Sequence, residues 1–180
     1  MALDHVPAAR PKEEGRDAIL QSVRLLRGLE RDRLAHRVAE IPLALDTLPS
    51  REQLMKQTES KNKYEVYRAQ SLLKQIDGGK PLSQTYPYPV QIWFLGTELQ
   101  WVTLGGEVVV DYSLRLKQEM GPGKTWVAAY TNDVMAYIPS LRVLKEGGYE
   151  GGGAMLYYGL PTIWSESVEE TLVSGVRSLT

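Results

Sequence analysis

A pair of β-rich runs that stops at two glycines and passes straight into a helical period constrains this chain more than any other feature. Val90-Gln91-Ile92-Trp93-Phe94-Leu95 and Leu99-Gln100-Trp101-Val102-Thr103-Leu104 are rich in β-branched and aromatic residues, and Gly96-Thr97-Glu98 joins them as a hairpin loop. Gly105-Gly106 then permits a tight turn and the close approach of other groups. From Glu107 to Met120 the period is helical, with Val110, Leu114 and Leu116 as apolar positions, and Gly121-Pro122-Gly123 ends it. Thr125 to Tyr130 reads as a further strand. Strand, hairpin and helix in this order require a mixed α/β fold.

The rest of the chain supplies the helices. Residues 1–14 are polar, contain Pro7 and Pro11, and read as a flexible lead-in. Residues 15–180 read as one α/β domain or as the C-terminal half of a larger catalytic domain. Gly15 to about Val38 has helical spacing, with Ile19, Val23, Leu26, Leu29 and Leu34 near one face. Ile41 to Leu45 is a short strand or extended connector, and Pro42 argues for an edge position. Ser50 and Gln53 form a capping box that opens a helix expected to reach Ile76, where Asp77-Gly78-Gly79 stops it. Its many charges, Lys56, Glu59, Lys61 and Lys63 among them, mark a surface helix. Tyr86-Pro87-Tyr88-Pro89 reads as an extended linker, Leu141–Gly147 as a short helix or turn, and Met155–Leu160 as a last strand. Ser167-Val168-Glu169-Glu170 is a second capping box, opening a C-terminal helix through Leu172, Val176 and Leu179. The expected fold class is therefore mixed α/β (α+β): helices in the first half, and a mixed β-sheet with flanking helices in the second.

Composition removes several function classes. There is no cysteine, hence no disulfide and no thiolate metal site. A net charge of −1 gives no general attraction to nucleic acid or acidic membranes. No apolar run approaches the ~20 residues of a membrane span, and the N-terminus lacks the apolar core of a signal peptide. As written the chain is expected to be cytoplasmic, unless a targeting segment lay upstream. No His-Glu-x-x-His, Gly-x-Ser-x-Gly or Walker pattern occurs, and Gly121-Pro122-Gly123-Lys124-Thr125 is read as a turn. His5 and His36 are far apart, and both are expected to be solvated.

Four residues remain as candidates for chemistry. Glu107 follows two glycines and precedes a helical run, so its carboxylate faces a helix start; taken alone, an acid there is ordinary dipole chemistry. Tyr137 follows the Thr125–Tyr130 strand, and alone reads as a core or rim tyrosine with a backbone partner. Asn132, beside Asp133, alone reads as a turn residue. Tyr149 lies in a stretch with five glycines between 147 and 153, which either brings backbone close to a ligand or marks a flexible turn.

Gly106-Glu107, then Asn132 with Tyr137, then Tyr149-Glu150-Gly151 resemble in order and spacing the C-terminal part of the catalytic domain of the neutral/alkaline non-lysosomal ceramidases. The resemblance spans roughly residues 85–160. That family holds a catalytic zinc with two histidines, a glutamate and a tyrosine, and hydrolyses the N-acyl amide of ceramide to a fatty acid and a sphingoid base. The resemblance implies Glu107 and Tyr137 as zinc ligands, Tyr149 as a catalytic residue beside the metal and the substrate amide, and Asn132 as a substrate-binding position. It implies zinc as cofactor and an N-acyl amide lipid as substrate. The family's two histidines and its Gly-Asp-Val-Ser-Pro-Asn-like serine motif have no counterpart here. Two readings follow. In the first, the chain is the C-terminal portion of a ceramidase-like zinc amidohydrolase, inactive alone. In the second, it is a non-catalytic binding or assembly module on the same scaffold, pairing with a separate N-terminal half. A half-domain of the first kind is expected to expose an apolar patch where its other half belongs.

Overall fold

The structure, a computed structural model, describes residues 34–180. The helix expected from Gly15 falls outside the described residues as far as 33. Its expected last turn is strand instead: β1 (Leu34–Ala44) pairs antiparallel with β2 (Thr85–Leu95) from Leu34↔Leu95 to Ala44↔Thr85. A ladder of that length outweighs helix propensities of a few tenths of a kcal/mol per residue. His36 accordingly sits on a strand, exposed, with its ring 5.0 Å from that of Trp93.

β2 turns through the expected hairpin into β3 (Leu99–Leu104), and β5 (Thr125–Ala128) joins β3 in parallel, giving a mixed sheet of order β1-β2-β3-β5. Tyr86–Pro89 belongs to β2 rather than to a linker. The pairing explains how prolines are accommodated there. β3 first meets β2 at Val90, opposite Leu104, so Pro87 and Pro89 lie beyond its end. On the other side Pro87 faces Pro42 of the edge strand β1.

Alternation along the strands divides the residues between two faces. Ile41, Leu43, Tyr88, Val90, Ile92, Val102 and Leu104 form the inner face and are buried. Against them pack α3 (Val110–Met120), through Tyr112 and Leu116, and α6 (Val168–Ser178), through Val168, Leu172, Val173 and Val176. Helix α6 reaches β1 because position 175 is glycine: a Cβ there would run into the side chain of Ile41. On the outer face the register sets His36, Trp93, Trp101 and Trp126 in one row across all four strands. Trp101 and Trp126 are 42% and 52% exposed, so this face is open among the described residues.

The helix expected from Arg51 to Ile76 is two helices. α1 (Arg51–Gln57) has the capping box read from the sequence: the Ser50 hydroxyl accepts from Gln53 N at 3.1 Å, and Gln53 Oε1 accepts from Ser50 N at 2.7 Å. It ends because Thr58, Ser60 and Asn62 bond locally to the backbone. Thr58 Oγ1 donates to Met55 O at 2.6 Å, and Asn62 Oδ1 accepts from Tyr64 N at 3.0 Å to start α2 (Lys63–Asp77). The two helices form a hairpin with its own small core of Leu54, Ala69 and Leu72.

α4 (Leu141–Glu146) lies where a short helix was expected. Met155–Leu160 is no strand; α5 (Met155–Tyr158) occupies it and ends at Gly159. The C-terminal helix is present, but its capping box is not. Ser167 makes no cap bond, and Glu169 and Glu170 are engaged with Arg115 at 2.8 and 2.6 Å. No helix among the described residues is long and apolar enough to cross a membrane.

Candidate functional site

The two glycines at the end of β3 begin the site. Gly106 has φ +65°, a conformation glycine adopts freely, and the turn it makes collects the loop that follows β5. Its N–H donates to Asp133 O at 2.8 Å and its carbonyl accepts from Tyr130 N at 2.9 Å. The chain then enters a short strand, β4 (Glu107–Val108), parallel to β6 (Tyr137–Ile138), which sets Glu107 directly beside Tyr137. Glu107 N donates to Ala136 O at 2.9 Å across this pair.

Buried side chains hold the backbone on both sides. The Tyr88 hydroxyl donates to Gly105 O at 2.6 Å, Tyr112 to Pro139 O at 2.9 Å, and Trp164 Nε1 to Tyr137 O at 2.8 Å. The Tyr86 hydroxyl donates to Asp133 Oδ2 at 2.6 Å, tying down the loop. Burial pushes the Tyr88 and Tyr112 phenols well above the ordinary range, so both remain donors at any physiological pH.

Two phenols converge on the Glu107 carboxylate. The Glu107 carboxylate, acting as hydrogen-bond acceptor, is the largest cause of the raised pKa values of Tyr137 and Tyr130, followed by desolvation. Tyr130 is pushed up to about 12, and Tyr137 lies above the usual phenol range. Tyr130 has φ +57°, which an aromatic L-residue adopts rarely; strain of this kind concentrates at functional positions. Further tyrosines extend the cluster. The Tyr149 ring meets Tyr137 edge-on at 5.4 Å, Tyr157 lies 6.0 Å from Tyr149, and Tyr64 of α2 meets Tyr157 at 4.8 Å. Tyr158 is close enough to Tyr130 to weigh on its ionisation.

Glu107, Tyr137 and Tyr149, all singled out in the sequence, are thus brought together from separate elements. Asn132 is elsewhere engaged: it is exposed, has φ +70°, and its Nδ2 donates to Gln91 Oε1 at 3.3 Å. Tyr130, Tyr64, Tyr157 and Tyr158 were missed. One signal was available, since the chain has 10 tyrosines against a single phenylalanine. Such a bias selects hydroxyls, not ring volume.

This arrangement offers one carboxylate, two phenols directed at it, and the outer phenols Tyr149 and Tyr157 as neutral donors. Donors of that kind stabilise a carbonyl oxygen as it gains negative charge. It does not by itself fit a zinc ion. Catalytic zinc takes three protein ligands, commonly with imidazole among them. No group of three or more His, Cys, Asp or Glu side chains suited to a metal occurs among the described residues.

No family model matches the chain, and no curated protein matches it. Among solved structures the chain is similar to one described as "Ceramidase complexed with C2", with a TM-score of 0.46 and 12% identity, over 82% of this chain and 29% of that one. The chain thus corresponds to less than a third of that protein's length.

Proposed function

We propose that this chain supplies the carboxylate and phenol wall of a ceramidase-like amidohydrolase, acting on an N-acyl amide lipid, and that it is inactive without a second, N-terminal half. The observation that carries the reading is the pairing of Glu107 with Tyr137, with the Tyr149 ring against Tyr137. In this reading Tyr149 donates to the substrate amide oxygen as it becomes an oxyanion, and Glu107, by accepting the single Tyr137 proton, holds the ring on which Tyr149 packs. Zinc belongs to the assembled enzyme, with imidazole donors from the other half. The open tryptophan row on the sheet is consistent with a chain that packs against another body.

The test is hydrolysis of a fluorescent N-acylsphingosine analogue. The chain is assayed alone, and together with a separately made N-terminal half carrying the two histidines and the serine motif. Turnover is expected from the pair only, and Glu107→Gln is expected to lower it by about 100-fold or more. Robust turnover by this chain alone would refute the need for a partner. The scarcity of metal donors among the described residues favours a second reading, a binding or assembly module. Under that reading Glu107→Gln leaves turnover of the pair intact.

A further inference from the structure

A groove of about 570 Å³ lies between the α1–α2 hairpin and the segment 152–163. Its lining mixes polar residues, Gln53, Gln57, Glu65 and Thr162 among them, with apolar ones, Leu48, Met155, Leu156 and Ile163. Arg68 of α2 lines it. Arg51, Arg115, Arg142 and Arg177 each hold a carboxylate at 2.6–3.3 Å. Arg68 holds none among the described residues. Its one hydrogen bond there runs from Nη2 to the neutral Gln57 Oε1 at 3.3 Å, and its Nε is buried without a partner. A guanidinium donor left buried without an acceptor, as this Nε is, is costly. Burial lowers the Arg68 pKa, partly offset by Glu65 one turn away on the same helix.

We propose that this groove binds a monocarboxylate carrying an apolar chain, its carboxylate on Arg68 and its chain along Leu156 and Ile163. The single cation selects the head group. Planar guanidinium and carboxylate match in a bidentate pair. Glu65 also lines the groove and opposes any anion, so with one cation present it opposes a phosphate dianion more than a singly charged carboxylate. The mixed lining and the volume suit a ligand with one polar end, within the usual range for small-molecule sites. The inference does not depend on the amidase reading: it uses none of the Glu107 cluster.

The experiment is calorimetric titration of the full chain with acetate, octanoate, decanoate, decanamide and inorganic phosphate. Affinity is expected to rise along the carboxylate series, by up to about fourfold for each methylene that becomes buried. Arg68→Gln is expected to weaken decanoate about tenfold or more and to leave decanamide unchanged. Leu156→Glu, which adds an acid to the apolar part of the lining, is expected to abolish decanoate binding, and serves if Arg68→Gln fails to fold. Glu107→Gln is expected to bind decanoate like the unaltered chain, so failure of the amidase reading and failure of this one are separately visible. No decanoate binding, equal binding by a folded Arg68→Gln chain, or preference for phosphate would each overturn the proposal.

Discussion

Replacing Gly106 with alanine tests whether the glycine turn holds the site together. At φ +65° an L-residue pays ~1–2 kcal/mol for the left-handed conformation. The new Cβ would also lie 2.5 Å from the Ala136 carbonyl oxygen, 3.0 Å from Met135 Sδ and 3.2 Å from Ile138 Cγ1. Methionine can swing aside, but the carbonyl cannot move freely, because it accepts from Glu107 N at 2.9 Å. Relieving the clash therefore gives up that bond, and with it the Gly106–Asp133 or Tyr130–Gly106 bond of the same turn, at ~1 kcal/mol each. The expected loss is about 3–4 kcal/mol in all. Gly79→Ala is the control: its φ is +76°, yet nothing lies within 4 Å of the added Cβ. It should lose only the conformational part, ~1–2 kcal/mol. Urea unfolding followed by tryptophan fluorescence measures both. If the two variants lose the same stability, the close packing of residue 136 on residue 106 is not what fixes the turn, and the reasoning fails.

Three further outcomes follow from the same geometry. Glu107→Gln should return Tyr130 from about 12 toward 10.0, read as phenolate absorbance during alkaline titration; because the folded-state value is raised, the carboxylate's contribution is complete below pH 10.0 and is lost as pH rises toward 12. Arg115→Ala should destabilise by ~1–2 kcal/mol at neutral pH, since Glu119, Glu169 and Glu170 lose their common partner, one of them bracing the first turn of α4 through Leu141 N. The Glu119 pKa is lowered from 4.5, chiefly by its bond to Arg115, so this contribution is present above pH 4.5 and fades in acid; the variant and the parent should converge there in thermal melts. Trp164→Phe removes the bond to Tyr137 O and leaves a void beside Tyr86, and should lower unfolding free energy by ~2–3 kcal/mol.

The elements legible in the sequence were those with local causes. The hairpin at Gly96, the capping box at Ser50 and the stop at Gly121 each follow from backbone chemistry within a few residues, and each is present. What failed was decided at a distance. Leu34 to Val38 has helical spacing, but strand β2, about fifty residues later, offers it a full ladder. Glu170 satisfies the pattern of a capping box, but Arg115 of α3 takes its carboxylate. Met155–Leu160 has the composition of a strand, yet it closes as a single helical turn that ends at the left-handed Gly159. At the site the sequence marked Glu107, Tyr137 and Tyr149, each near a glycine or strand end. Tyr130 and Tyr157 escaped because their contribution depends on a left-handed backbone and on ring contacts across elements. Neither leaves a local signature.

Helix α2 links the two functional proposals physically. Tyr64 and Arg68 are four residues apart and so share a helix face. Tyr64 packs on Tyr157, Tyr157 on Tyr149 and Tyr149 on Tyr137, whose pKa the Glu107 carboxylate raises. A continuous path of aromatic contacts thus runs from beside the Arg68 groove to the carboxylate. Tyr149 and Tyr157 are half exposed, which places apolar ring surface and polar hydroxyls side by side in solvent. Tyrosine accepts both aliphatic chain and hydrogen-bonding groups at little entropic cost, since it has two rotatable side-chain bonds. The groove repeats that chemistry with a cation at its polar end. Both surfaces therefore suit an amphipathic molecule with one polar group on an aliphatic body. The segment 149–158 forms one side of each, contributing Tyr149 and Tyr157 to the array and Gly152, Met155 and Leu156 to the groove. The segment that lines one side of the groove is thus the one that carries Tyr149. The expected consequence is that decanoate binding changes the tyrosine environment at Tyr149 and Tyr157, while Tyr88 and Tyr112, buried beneath the sheet, are left as they were.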